Sequence, residues 1–180
     1  MSPNAWGPIK QLAYVVEDLD ASIQRWIELH GVGPWTVYRN TTMTGTHRGQ
    51  PTSVKLHVGL SYQDGLQIEL IQAVSTAPSP YQHDDGRPRA GLHHIAWHSQ
   101  NLDSDVALAS ARGLRPVFEA SNGVVRVAYL EMPEESGPLY EFIEAVPLVS
   151  EGFAAGELAS RRWDGVTQPL TVVDFENPQP

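Results

Sequence analysis

The stretch GLHHIAWHSQNLD, residues 91–103, holds three of the chain's seven histidines: His93, His94 and His98. An imidazole works at neutral pH as a base, an acid or a metal ligand, and each role needs partners. Partners of suitable chemistry lie far off in the sequence. Glu69 stands in the middle of LQIELIQ, Glu141 in the middle of PLYEFIEA, and Gln11 near the start of IKQLAYVV. A carboxylate centred in an apolar strand is costly to desolvate unless a cation or a donor meets it. One imidazole, two carboxylates and one amide make an oxygen-rich set. Such a set suits a divalent cation that keeps positions open for water or substrate.

What would position these groups is an internal repeat. IKQLAYVVEDLDASIQRWIELHGVGPW (9–35) sits over LHHIAWHSQNLDSDVALASARGLRPVF (92–118). Gln11 falls on His94, Ala13 on Ala96, Leu19 on Leu102 and Asp20 on Asp103; after one deletion, Gly31 falls on Gly113 and Pro34 on Pro116. Each copy reads as a strand, then a helix capped by Asp18 or Asp20 in one and Asn101 or Asp103 in the other. Gly31 and Gly113 end the helices. Residues 54–72 read as two strands around a Gln63-Asp64-Gly65 turn, and 123–145 as two strands around a Pro-Glu-Glu-Ser-Gly loop. The expected fold class is α+β, built from paired β-α-β-β-β modules. The first spans 1–74, a Gly- and Pro-rich linker 75–91, the second 92–147 and a C-terminal extension 148–180. The extension carries a helical stretch, EGFAAGELASRRW, that either closes over a pocket or crosses to a partner subunit.

Strand side chains alternate faces. In the first strand Leu12, Tyr14 and Val16 go under the helix, while Gln11, Ala13 and Val15 take the other face. In the repeat, Ile95 and Trp97 go under the helix, and His94, Ala96 and His98 share the opposite face. His94 therefore points where Gln11 points. His93 points away, as a core or surface histidine. His98 lies roughly 13 Å along the strand from His94, too far for the same ion, and lines the pocket mouth. Plainer alternatives stand beside these readings. Glu69 and Glu141 pair with basic side chains across a strand, and His94 is a satisfied core histidine. His57 is a second acid in the hollow or a plain strand histidine. Arg126 binds a substrate carboxylate or is a surface charge. Trp35, Tyr38 and Trp97 read as packing.

Twelve Lys+Arg against 21 Asp+Glu give a net charge of −9 and no basic stripe, which argues against nucleic acid or anionic lipid as a partner. No apolar run is long enough to span a bilayer, and no charged-then-apolar leader precedes Trp6. With no cysteine, thiolate nucleophiles, thiolate metal sites and disulfides all drop out, and the expected compartment is the cytoplasm.

Across residues 9–145, the signals IKQLAYVVEDLDAS, LQIELIQ, GLHHIAW and PLYEFIEA resemble the vicinal oxygen chelate superfamily. Its members include glyoxalase I, methylmalonyl-CoA epimerase, extradiol dioxygenases and bleomycin-resistance proteins. The resemblance implies a cup-shaped mixed sheet (the glyoxalase/bleomycin resistance/dioxygenase fold) with Gln11, Glu69, His94 and Glu141 on the four ligand positions. That ligand set looks like the one in eukaryotic glyoxalase I, while GVGPW and GLHHIAW look closer to the epimerase branch. Gln11, standing where a first histidine is usual, speaks against a two-histidine, one-carboxylate iron site. The implied cofactor is a divalent metal ion such as Zn, Ni, Co or Mn. The implied partner is a small-molecule substrate with adjacent oxygens, held in a homodimer. The implied activity is that of an isomerase, epimerase or lyase working through an enolate or enediolate, with Glu141 as base and Glu69 as its mirror-related partner. Two alternatives remain: a metal-free small-molecule binder, and a metal-dependent hydrolase or ring-opening enzyme of the same fold.

Overall fold

The structure, a computed structural model, describes residues 5–177. The first module runs β1 (Gln11–Val15), α1 (Leu19–His30), β2 (Trp35–His47), β3 (Gln50–Gln63) and β4 (Leu66–Ala73). The second runs β5 (Gly91–Ser99), α2 (Leu102–Ala111), β6 (Arg115–Ser121), β7 (Arg126–Glu131) and β8 (Leu139–Glu144). Helix α3 (Pro147–Arg162) and strand β9 (Leu170–Asp174) follow. Both modules have the β-α-β-β-β order.

Local chemistry explains the breaks between elements. Asp18 accepts the Ala21 amide at 2.9 Å and Asn101 accepts the Ser104 amide at 3.0 Å, so both helices start on side-chain caps. Gly31, at φ 64°, ends α1 in the left-handed conformation and returns its N–H to Ile27. Asp64 and Gly65, at φ 51° and 83°, both take the positive φ that a two-residue hairpin between β3 and β4 demands.

The strands form one mixed sheet in the order β3-β4-β1-β5-β8-β7-β6-β2-β9, and β2 also pairs with β3. The first eight strands therefore close into a ring. The order β2-β3-β4-β1 in one module is repeated by β6-β7-β8-β5 in the other. The modules meet where β1 and β5 run antiparallel, each flanked by a parallel neighbour, β4 or β8. Outside the ring, α1 buries Leu19 and Ile23 against Trp35, Ile68 and Leu70, with Leu12, Tyr14 and Val16 beside them. Helix α2 buries Leu102 and Ala109 against Leu130 and Phe142, with Trp97 beside them. Both helices thus cover the faces that alternation assigned to them. The inside of the ring is the cup.

The C-terminal extension packs against the cup. Gly156 of α3 lies so close to Tyr62 that an added Cβ would sit 2.1 Å from the ring, and the Ser160 hydroxyl donates to the Tyr62 carbonyl at 2.6 Å. Phe153 meets both Tyr62 and His98 edge-on. Strand β9 then runs parallel beside β2. Helix α3 roofs the cup. The segment between the modules contributes more than a turn, because Tyr81 is buried against Phe118 and Tyr129 and shares a 2.9 Å hydroxyl contact with Tyr129. Among the described residues, no helix is long and apolar enough to cross a membrane.

Candidate metal centre

Four adjacent strands, β4-β1-β5-β8, carry the predicted residues, and their register brings the side chains together. Glu69 lies across from Ala13, and Ala13 across from His94. Gln11 lies across from Ala96, and Ala96 across from Glu141. Each small alanine separates two of the four polar residues, and both alanines are fully buried. With only a methyl group in each gap, longer side chains from the flanking strands can lean inward over it. Ala13 and Ala96 are equivalent in the repeat, as are Gln11 and His94, so the internal symmetry that builds the sheet also builds the hollow.

The donor atoms converge on His94, whose side chain is completely buried. Its Nε2 lies 2.9 Å from Glu141 Oε2, 3.2 Å from Glu69 Oε2 and 3.0 Å from Gln11 Oε1. One ring nitrogen carries at most one hydrogen, so it cannot satisfy three oxygens. The buried Glu141 Oε2 therefore competes with two other oxygens for a single donor. A buried carboxylate oxygen with so small a share of a donor is expensive. A cation at the centre would meet all the oxygens at once. Two ligand atoms each about 2.1 Å from an ion and at right angles to one another sit about 3.0 Å apart, which the observed spacings match. The residues present therefore fit a divalent ion with oxygen-rich ligation.

Without an ion, the imidazole and the two carboxylates form a buried ion pair. Burial holds Glu141 above the usual carboxylate range, opposed by the nearby His94. Burial would lower His94, but Glu141 and then Glu69 outweigh it and push the imidazole up to about 9. Neighbouring polar groups fix the orientation of the amide. Gln11 Nε2 donates to Gln67 Oε1 at 2.6 Å, and Gln67 in turn donates to the Tyr62 hydroxyl. That leaves Gln11 Oε1 facing His94. Gln67 is two residues from Glu69 on the same strand face, so alternation alone could have found it.

His93 departs from the sequence expectation. Strict alternation turns it away from the cup, but β5 carries a bulge there: Ala13 pairs with His94 and Tyr14 with Leu92, leaving His93 as the extra residue. The bulge turns it onto Tyr81 and puts its Nδ1 2.9 Å from His94 Nδ1, with its Nε2 2.9 Å from the Pro80 carbonyl. A carbonyl only accepts, so His93 Nε2 carries the hydrogen. Its Nδ1 then accepts from His94 Nδ1–H, which frees His94 Nε2 for a ligand. This is the outer-shell support that ligating histidines generally have. Burial and then His94 lower the His93 pKa to about 3, so it stays neutral. Replacing His93 with phenylalanine is expected to weaken divalent-ion affinity about 10- to 100-fold. His93→Gln, which can accept and donate in line, should restore most of it. Calorimetric titration with Mn²⁺ checks both.

The weaker candidates resolve plainly. His57 alternates with Leu56 and Val58, points away from the cup and accepts the Asn40 amide at 3.1 Å. Arg126 is a surface charge paired with Asp103 and Glu144. His98 is half-buried against Phe153, and does not reach the cluster. Tyr38 lines the cup and stacks on Phe175, while Trp35 and Trp97 pack beneath the helices.

The alanine gaps give a further test. Ala96→Val adds two methyl groups between Gln11 and Glu141 without touching a ligand. It is expected to cost about 1–3 kcal/mol of stability from overpacking and to weaken Mn²⁺ binding at least tenfold. Thermal melts and calorimetry read the two effects separately.

The family model of the glyoxalase/bleomycin resistance protein/dioxygenase superfamily matches residues 10–129. The chain belongs to this superfamily. The match covers Gln11, Glu69 and His94 and ends before Glu141 and the extension. Among solved structures, methylmalonyl-CoA epimerase from Mycobacterium tuberculosis is similar at 15% identity and a TM-score of 0.53, over 84% of this chain and 96% of that one. Hypothetical protein BH1468 from Bacillus halodurans is similar at 16% identity and a TM-score of 0.51, over 77% and 94%. At such identities the likeness is one of fold. No curated protein sequence matches the chain.

Proposed function

We propose that this superfamily member is a divalent-metal-dependent isomerase or epimerase that moves a proton at a carbon next to a carbonyl. The observation that carries the reading is the single buried imidazole nitrogen facing three oxygens, from Glu69, Glu141 and Gln11, within 3.2 Å. Gln11, Glu69, His94 and Glu141 would hold the ion. Zn, Ni, Co and Mn all suit one nitrogen with three oxygens. When bound, a divalent ion supplies Lewis acidity toward two neighbouring substrate oxygens.

The chain's own residues do the rest. Burial raises the proton affinity of Glu141 and a bound cation would lower it, and the balance of the two sets its strength as the base that takes a proton from carbon. Glu69, at the equivalent place in the other module, is the group that would return a proton. Gln67 locks the Gln11 amide, and His93 locks the His94 ring. The apolar walls exclude water, so a charge developing on substrate feels the fixed dipoles of the site strongly.

The family resemblance also implies a homodimer, and the exposed apolar side chains Leu170, Val172 and Val173 on β9 offer it an edge. A second reading, metal-free binding of a small molecule, draws support from the apolar walls of the cup. Metal content separates the two. We expect about one divalent ion per chain by elemental analysis, and deuterium gain beside the carbonyl when 2-oxo or 2-hydroxycarbonyl compounds are incubated in heavy water. Protein that binds such compounds with no metal and no exchange would be a binder instead.

A further inference from the structure

The cavity inside the cup has a volume of about 700 Å³, within the range that engulfs an entire drug-sized ligand. Its charged groups gather at one end. Glu69, Glu141 and Gln11 occupy the floor, and Tyr129 and Tyr81 join them there. Most of the remaining lining is apolar, from Met43, Leu56, Val58, Ile71, Val127 and Ile143, with the neutral polar side chains of Thr36, Thr41 and Asn122 among them. The roof is apolar too, since α3 contributes Leu148, Val149 and Phe153, and Phe175 follows β9.

The charges around the cavity point the same way. Among the described lining residues there is no lysine and no arginine, and the only charged side chains are Glu69 and Glu141. The cations on the strands that form the cup are already engaged: Arg39 with Asp20, Lys55 with Glu176, Arg115 with Glu131, and Arg126 with Asp103 and Glu144. A ligand bearing phosphates needs guanidinium or ammonium partners, and a buried carboxylate needs the same. None faces this space. Two carboxylates with one divalent ion sum to zero, so negative charge on a ligand would be met at the floor alone and nowhere along the walls.

Resting on the reading of the site as a metal-dependent proton-transfer centre, we propose that its substrate is an uncharged, bulky apolar α-hydroxyketone, with carbonyl and hydroxyl on neighbouring carbons. A nucleotide-bearing thioester would find no cationic partner for its phosphates within the cavity. The two oxygens meet the floor and the apolar body fills the space beneath α3. The step balances without any co-reactant. The C–H bond at the hydroxyl-bearing carbon breaks, its proton goes to Glu141, and its electron pair forms a carbon–carbon double bond as the carbonyl oxygen takes the negative charge. Return of a proton to either carbon gives the inverted centre or the isomeric hydroxyketone. Roof residues 148–175 lie beyond the segment matched by the family model, so α3 is the element of this chain that sets the preference.

The test uses benzoin (two phenyl rings on a hydroxyketone), hydroxyacetone and methylmalonyl-CoA. Each is titrated calorimetrically into metal-free and Mn²⁺-loaded protein, with deuterium exchange followed by NMR in parallel. Benzoin is expected to bind the loaded protein at least 100-fold more tightly than hydroxyacetone, since each buried methylene equivalent contributes about fourfold. Methylmalonyl-CoA should show no saturable binding. Leu148→Lys and Val149→Arg, on the roof and away from the ligands, should weaken benzoin at least tenfold and leave Mn²⁺ affinity unchanged. Leu148 is largely exposed, so its variant folds even where the other fails. Tight benzoin binding without exchange upholds the inference about the cavity and removes the proton-transfer reading. Saturable thioester binding, or equal affinity for benzoin and hydroxyacetone, overturns the inference while leaving exchange to judge the reading.

Discussion

Glu141→Gln is expected to lower the rate of proton exchange on a hydroxyketone substrate by about 10²- to 10⁴-fold, the usual contribution of a positioned general base. The substitution keeps shape and size and removes a carboxylate whose proton affinity burial has raised. It also takes one charge out of the buried pair with His94, leaving Glu69 as that imidazole's partner, so the metal-free variant is checked for folding by its thermal melt. Glu69→Gln is the necessary control. Glu69 is the more exposed of the two, with 14% of its side chain accessible against 4% for Glu141. Both variants should bind Mn²⁺ more weakly, since each removes a charged ligand. At saturating Mn²⁺ the two should separate, Glu69→Gln recovering most of its exchange and Glu141→Gln very little. Equal recovery in both would remove Glu141 from the role of base.

How far the site was legible follows from what made it. The repeat and the two-residue period of strands were enough to align Gln11 with His94 and Glu69 with Glu141, because both signals survive in side-chain order alone. They also assigned Leu12, Tyr14, Ile95 and Trp97 to the helix side of the sheet. What the period could not carry was its own interruption. The bulge at His93 adds one residue to β5, and nothing in HHIAW marks it, so alternation turned His93 away when the backbone turns it toward His94. Tyr81 escaped for a different reason. It lies in a segment whose prolines and glycines announce turns, and its burial depends on a cleft formed by Phe118 and Tyr129, distant in sequence. The roof was half legible. The helical stretch was visible, but its destination rests on Gly156 fitting against Tyr62, a contact across the cup that has no local signature.

His94→Ala should have the largest effect on stability. The side chain is completely buried and stands between two carboxylates. Without it, Glu69 and Glu141 face one another in a low-dielectric hollow with no partner, and breaking a buried ion pair on one side costs about 3–5 kcal/mol. For a chain of 180 residues that corresponds to a fall of roughly 6–20 °C in Tm. Metal should act in the opposite direction on the intact protein. At a free ion concentration 100 times Kd, binding to the folded state alone adds about 2.7 kcal/mol, or roughly 5–10 °C. The variant should lose this gain as well, so its melts with and without Mn²⁺ should coincide. Loss of the imidazole also leaves His93 Nδ1 without its donor, so His94→Gln, which supplies an amide in the same space, should fall between variant and parent. A His94→Ala protein that melts like the parent and is still stabilised by Mn²⁺ would mean that the ion, if one binds, binds elsewhere.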